Sequence, residues 1–239
     1  MNAYEKYGLA TPDEIDVMIW ARASQPDLDP RRDGMITASH AWEICRDKSG
    51  KGWGVATEKL VLRVAHERLT GKTHKKPTGS AATDWGHEYE DEAALYFEKV
   101  TGLKCLPGEF TIAPPPLQII GGTPDRFLQN GHLQIKCPYT VEVVMANLRA
   151  KTPPLENLKQ VWFEMICMGE DTVGYWASYD PRIAEGAPGK IKIVEITRDD
   201  RFWEFSEMVA AVEKYTLDVC EEMKELFSVP KKKGRKKKR

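Results

Sequence analysis

Gly122-Thr123-Pro124-Asp125-Arg126-Phe127, followed by Leu133-Gln134-Ile135-Lys136-Cys137-Pro138, is the stretch on which the reading of this chain turns. The patterning predicts strands over 125–128 and 132–137. Side chains alternate along a strand, so Leu133, Ile135 and Cys137 share one face and anchor it. Gln134 and Lys136 project together from the other face, toward whatever Asp125 presents from the neighbouring strand. A carboxylate, a second oxygen ligand and a lysine converging at a sheet edge suit Mg²⁺-dependent phosphodiester cleavage. The cation takes hard oxygen ligands, polarises the phosphate and acidifies a bound water. By itself the short motif reads first as a polar strand beside a turn, since such pairs arise often by chance.

Outward from this stretch, the pattern predicts further strands over 104–112, 117–120, 172–179 and 190–197. Helices are predicted over 13–22 behind Thr11-Pro12, 37–46 capped by Thr37, 55–70, 84–101, about 140–150, 156–168 and about 199–227. Leu60, Val61, Val64 and Leu69 mark the inner face of the third of these. Tyr89, Ala93, Tyr96, Phe97 and Val100 mark that of the fourth. The last helix carries a stripe from Phe202 through Phe205, Val209, Val212, Tyr215, Val219 and Met223 to Phe227. The order implies a mixed α/β fold, one domain over 1–230, with 231–239 a disordered basic tail.

The charge is unevenly placed. The chain has 35 Lys+Arg and 36 Asp+Glu, formally −1. The tail from Lys231 to Arg239 holds six Lys and two Arg; 35 less 8 leaves 27 basic against 36 acidic residues before it, net −9. A uniformly basic nucleic-acid binder is excluded, but a local basic site is not. Five widely spaced cysteines with no CxxC pair read as free thiols. No apolar run approaches membrane-spanning length, and the start of the chain has no export-signal pattern.

Further blocks carry a resemblance. Arg32-Asp33-Gly34-Met35-Ile36-Thr37-Ala38-Ser39 looks like an R-x-G-x-I-T-A-S segment, and Trp85-Gly86-His87-Glu88-Tyr89-Glu90 like W-G-x-x-Y-E. Gln134-Ile135-Lys136-Cys137-Pro138 looks like E-x-K-C-P with its acid replaced. Gln160-Val161 and Tyr179-Asp180-Pro181-Arg182 complete the set, in order from 32 to 182. Together they resemble the lambda-type phage exonucleases, the YqaJ-like viral recombinase or alkaline exonuclease family of the PD-(D/E)xK nuclease superfamily. The resemblance implies a restriction-endonuclease-like α/β core, a mixed central sheet flanked by helices.

It also implies an activity: 5′→3′ degradation of one strand of duplex DNA, leaving 3′ overhangs for phage homologous recombination. Implied with it are two Mg²⁺ ions per site (Mn²⁺ as a substitute), a homotrimeric ring, a single-strand-annealing recombinase partner and the cytoplasm of a bacterial host. By the match, Asp125, position 134, the Ile135 carbonyl and Glu90 are metal ligands. Lys136 contacts the nucleophilic water, and Gln160 holds the site from the adjacent helix. Arg32, Ser39 and Thr123 take the terminal 5′-phosphate, Ser39 with donors from a helix start. Lys48 and Lys51 track the DNA backbone, with Lys72, Lys75 and Lys76 as further lining. Each also has a plain structural reading, as solvated charge, helix cap or core amide. The histidines, His132 among them, read as bystanders.

Two departures matter. Gln134 stands where the family pattern has Glu, giving PD-x8-QxK, and this removes one anionic ligand. Either the position is an engineered, near-isosteric Glu→Gln change, the preferred reading, or a natural variant with altered metal use. Cleavage is expected to be impaired in either case. The position of the family's apolar strand-separating wedge falls on polar Thr83. Competing readings are an endonuclease or repair nuclease of the same superfamily and a non-catalytic DNA-end-binding module.

Overall fold

The computed structural model describes residues 30–73, 79–169 and 172–228. The expected helix at 13–22, the loop residues His74, Lys75 and Lys76, and the tail 231–239 lie outside the described residues.

In chain order come β1 (Ile36–Thr37), a 3-10 helix (Ala38–Glu43), α1 (Val55–Thr70), α2 (Ala81–Thr101), β2 (Leu106–Pro107), β3 (Thr111–Ile112), β4 (Ile120–Gly122), β5 (Arg126–Leu128) and β6 (Gly131–Lys136). Then follow α3 (Val141–Arg149), α4 (Leu155–Met168), β7 (Val173–Tyr179), β8 (Ile191–Ile196) and α5 (Asp200–Phe227). A five-stranded mixed sheet has the order β2-β5-β6-β7-β8, and a small three-stranded one the order β1-β4-β3. Strands β6 and β7 run parallel, with Ile135 opposite Ala177, while β5–β6 and β7–β8 are antiparallel. A parallel pair needs a crossover, which α3 and α4 supply.

Alternation on β6 decides what lies on each side of the large sheet. Leu133, Ile135 and Cys137 pack with Ala93, Ala94 and Phe97 of α2. On the opposite face α4 buries Val161, Trp162 and Met165 against Trp176 of β7 and the Phe202, Phe205 and Val209 stripe of α5. Full burial of each large side chain here is worth about 1.5–3 kcal/mol. The helix ends follow local chemistry. Ser80 Oγ accepts from Thr83 N–H, and Asp199 from Phe202 N–H, while Gly71 and Gly102 close α1 and α2 at positive φ.

Several boundaries differ from expectation. The strand expected over 104–112 is two short strands in different sheets. Gly108 makes the switch: a Cβ there would lie 1.7 Å from the Pro124 carbonyl oxygen, so the chain passes against the Asp125 segment only without a side chain. The helix expected over 37–46 is a six-residue 3-10 turn, and Thr37 makes no side-chain cap bond. Leu69 is only half-buried and Val100 is exposed. The α5 stripe fades toward its end: α5 has 28 residues and outreaches the core, leaving Leu226 and Phe227 exposed.

Candidate active site

Strand β5 stops at Arg126, paired with Leu133, whereas β6 runs on to Lys136. The edge of β6 beyond Leu133 is therefore open on that side. Asp125 fills the opening: its Oδ2 accepts from the Ile135 N–H at 2.6 Å. The N–H and C=O of one strand residue share an edge, so the Ile135 carbonyl faces the same opening. Burial, then repulsion from Glu90, pushes the Asp125 carboxyl up to about 7, with the Lys136 ammonium opposing.

The polar face of β6 lies under α4. Lys136 Nζ donates to Gln160 Oε1 at 3.2 Å, and Gln160 Nε2 donates to Glu164 Oε1 at 3.2 Å. Gln134 is 3% exposed, and its Oε1 has no hydrogen-bond partner. His132, expected to be a bystander, is fully buried with Nε2 3.2 Å from Glu164 Oε2, without hydrogen-bond geometry. The structure thus brings Asp125, Gln134, Ile135, Lys136 and Gln160 together, and adds Glu164 and His132, which sequence reasoning passed over. A signal existed: Glu164 follows Gln160 by one helical turn and shares its face.

Glu90 reaches the same edge from α2, but it is held by a cation. Arg126 Nη1 donates to Glu90 Oε1 at 2.6 Å and to the Asp125 carbonyl at 2.6 Å, while Nη2 pairs with Asp91. Arg126 thereby ties α2 to the end of β5.

Of the expected phosphate-binding group, Arg32 Nη1 donates to Thr123 Oγ1 at 3.3 Å, two residues before Asp125. Ser39 is exposed, 3.2 Å from Thr37 Oγ1, in a 3-10 turn too short to offer the aligned amides of a helix start. Lys48 and Lys51 are exposed in a loop closed by the Arg46–Trp53 bridge and ordered by Asp47, which accepts from Ser49 N–H and Oγ. Among the described residues, no contact joins these lysines to Asp125. Lys72 is exposed, and its N–H donates to Thr70 Oγ1. Thr83 sits in the first turn of α2 with Ser80.

The remaining blocks are braces. Arg182 donates to Asp180 through its N–H and Nε, and to the carbonyls of Tyr139 at 3.0 Å and Pro138 at 3.2 Å. Its guanidinium lies 5.1 Å from the Trp85 ring. The loop leaving Lys136 is thus clasped to β7 and α2. All five cysteines are free, and burial pushes the thiols of Cys105 and Cys137 up to about 12, which leaves them unreactive.

A hard cation suits the oxygen set at this edge: the Asp125 carboxylate, the orphaned Gln134 Oε1 and the Ile135 carbonyl. Among the described residues, no three His, Cys, Asp or Glu side chains form a metal-binding group, so an ion here draws on amide and carbonyl oxygens. Nothing comparable surrounds Glu90, which Arg126 occupies.

Comparison with known proteins places this geometry in context. The structure resembles the crystal structure of an alkaline exonuclease (LHK-Exo) from Laribacter hongkongensis, with TM-score 0.69, 24% identity and coverage of 82% of this chain and 94% of that one. The complex of LHK-Exo with dAMP gives TM-score 0.70 at 24% identity, covering 82% and 95%. A phage-related exonuclease from Haemophilus somnus 129PT gives 0.59 at 18% identity, covering 79% and 96%. At these identities the likeness shows the fold alone, a mixed sheet flanked by helices shared with these solved structures. No curated protein matches the chain. The model of the YqaJ-like viral recombinase domain matches residues 28–172, and with that the chain belongs to this family, the lambda-type phage exonuclease group.

Proposed function

We propose that the chain is a Mg²⁺-dependent 5′→3′ exonuclease acting on duplex DNA ends, leaving 3′ overhangs for phage recombination, and that Gln134 slows its cleavage. The observation that carries this reading is the convergence of Asp125, Gln134, the Ile135 edge and Lys136 where β5 stops short of β6. When bound there, Mg²⁺ (or Mn²⁺) polarises the phosphate and supplies an acidified water. Asp125 provides the anionic anchor, and the Ile135 N–H fixes its orientation. Lys136, aimed by Gln160, offsets the charge that develops on the phosphate. Arg32 and Thr123 hold the terminal 5′-phosphate two residues from Asp125, and exposed Ser39 lies on the turn after Thr37. Lys48 and Lys51 supply backbone contacts. A second ion, which the family resemblance implies, requires Glu90 to leave Arg126.

A homotrimeric ring and a single-strand-annealing recombinase partner belong to the same reading, supported by family membership. So does a phage or prophage protein working in the bacterial cytoplasm; among the described residues, no helix is long and apolar enough to cross a membrane. The test compares Mg²⁺-dependent digestion of 5′-phosphorylated linear duplex with closed circular duplex. Digestion of the linear form alone, with mononucleotide release from the 5′ strand, is expected. Cutting of the circle contradicts the exonuclease reading and favours an endonuclease.

A further inference from the structure

His132, Gln134 and Lys136 share one face of β6, and α4 lies over that face. Contacts fasten the two elements on either side of Gln134. Lys136 meets Gln160 at 3.2 Å, and His132 meets Glu164 at 3.2 Å. Residues 160 and 164 are one helical turn apart, so Gln134 lies against α4 between them.

The polar atoms there are unusual. Gln134 Oε1, Glu164 Oε2 and both ring nitrogens of His132 are buried without a hydrogen bond, and Glu164 is fully buried. Most buried polar atoms in folded proteins are hydrogen-bonded. Gln134 Oε1 and His132 Nδ1 have no hydrogen-bond partner, and Glu164 Oε2 faces His132 Nε2 at 3.2 Å without hydrogen-bond geometry, so this face points to a partner that completes it. Strand β4 passes close to Glu164 at Gly122, where a Cβ would lie 3.4 Å from Glu164 Cγ and 3.2 Å from Ala38 Cβ. Glu164 also stands near enough to Asp125 for their charges to oppose each other, which a cation between them reverses.

We propose that Glu164 is the second anionic oxygen donor of the cation site, supplying from α4 the charge that Gln134 does not supply from β6. Asp125 and Glu164 then flank the amide oxygen of Gln134, and the Ile135 carbonyl completes an oxygen set for Mg²⁺ or Mn²⁺. The proposal rests on the cation-dependent reading above and adds where the second charge comes from. It also makes position 134 less costly to neutralise: the acid has a replacement one helix away. The competing arrangement is a closed His132–Glu164 ion pair with no part in cation binding.

The test is Mn²⁺ binding, measured by calorimetry without DNA, on the full chain and on Glu164→Gln, Gln134→Glu, the Gln134→Glu/Glu164→Gln double variant and Asp125→Asn. The chain as it stands binds Mn²⁺, and Asp125→Asn and Glu164→Gln each weaken binding roughly tenfold or more. The double variant recovers binding, which also shows that Glu164→Gln leaves the fold intact. Binding by Glu164→Gln equal to the unaltered chain, while Asp125→Asn loses it, overturns the role of Glu164 alone. So does a double variant that fails to recover, or binding that appears only once Glu is placed at 134. Absence of binding in every protein, Gln134→Glu included, overturns the cation-dependent reading itself.

Discussion

Lys136 donates from Nζ to Gln160 Oε1 across 3.2 Å, so the ammonium is aimed by the helix opposite rather than by its own strand. Removing that aim leaves Lys136 charged but free to swing. Gln160→Ala is expected to lower the cleavage rate by about 10- to 100-fold, the scale of a small misplacement of a reacting group. Its unfolding midpoint should change little, since one half-buried hydrogen bond contributes about 1 kcal/mol. Steady-state digestion and thermal melts on the same preparations check this. An unchanged rate removes Gln160 from the account.

Arg182 acts at a distance from Asp125, through the carbonyls of Pro138 and Tyr139 and the Trp85 ring. Arg182→Ala leaves buried Asp180 with only the backbone N–H of residue 182 and without its guanidinium partner, and the loop after Lys136 without its clasp. A loss of about 1–3 kcal/mol is expected, seen as a lower melting temperature. A melt identical to that of the unaltered chain contradicts the bracing role.

Asp125 makes the metal-free protein pH-sensitive. Its carboxyl is raised from the usual aspartate range to about 7 by burial and by Glu90, so the folded state holds the proton more tightly than the unfolded state. The stability this contributes is fully present below about pH 4 and is lost as pH rises through about 7. Without divalent cation, the unaltered chain should therefore lose more melting temperature between pH 5 and pH 8.5 than Asp125→Asn. Parallel melting curves for the two proteins rule out a raised Asp125.

The Arg32–Thr123 contact predicts end discrimination. Arg32→Ala should digest 5′-phosphorylated and 5′-hydroxyl duplexes at similar rates, where the unaltered chain prefers the phosphate by about tenfold or more, since a guanidinium–phosphate pair is a strong charge-assisted contact. Competition between the two substrates in one reaction measures the ratio. A preference that survives the substitution places the phosphate elsewhere.

Much of this was legible in the residues. Alternation in Leu133-Gln134-Ile135-Lys136-Cys137 assigns each side chain to its face, and the observed packing of Leu133, Ile135 and Cys137 against α2 follows it. Long amphipathic helices such as Val55–Thr70 were equally plain, because their period and glycine stops are local. What period alone does not reveal is a partner distant in sequence. The switch of strand at Gly108 depends on the passing Pro124 carbonyl, and the burial of His132 depends on Glu164. The hold of Arg126 on Glu90 likewise spans β5 and α2. The role of Glu164 is not legible from the sequence, because a single acid in an apolar helix is indistinguishable from an exposed one until the strand beneath it is known to present Gln134.

The most direct measurement is the Mg²⁺-dependent digestion rate of Gln134→Glu against the unaltered chain, on 5′-phosphorylated linear duplex. An added carboxylate beside Asp125 and Glu164 strengthens the hold on the cation, and a gain of at least tenfold is expected, about 1.4 kcal/mol of barrier. Equal rates in the two proteins would contradict the central claim that Gln134 slows cleavage at the Asp125–Gln134–Lys136 edge.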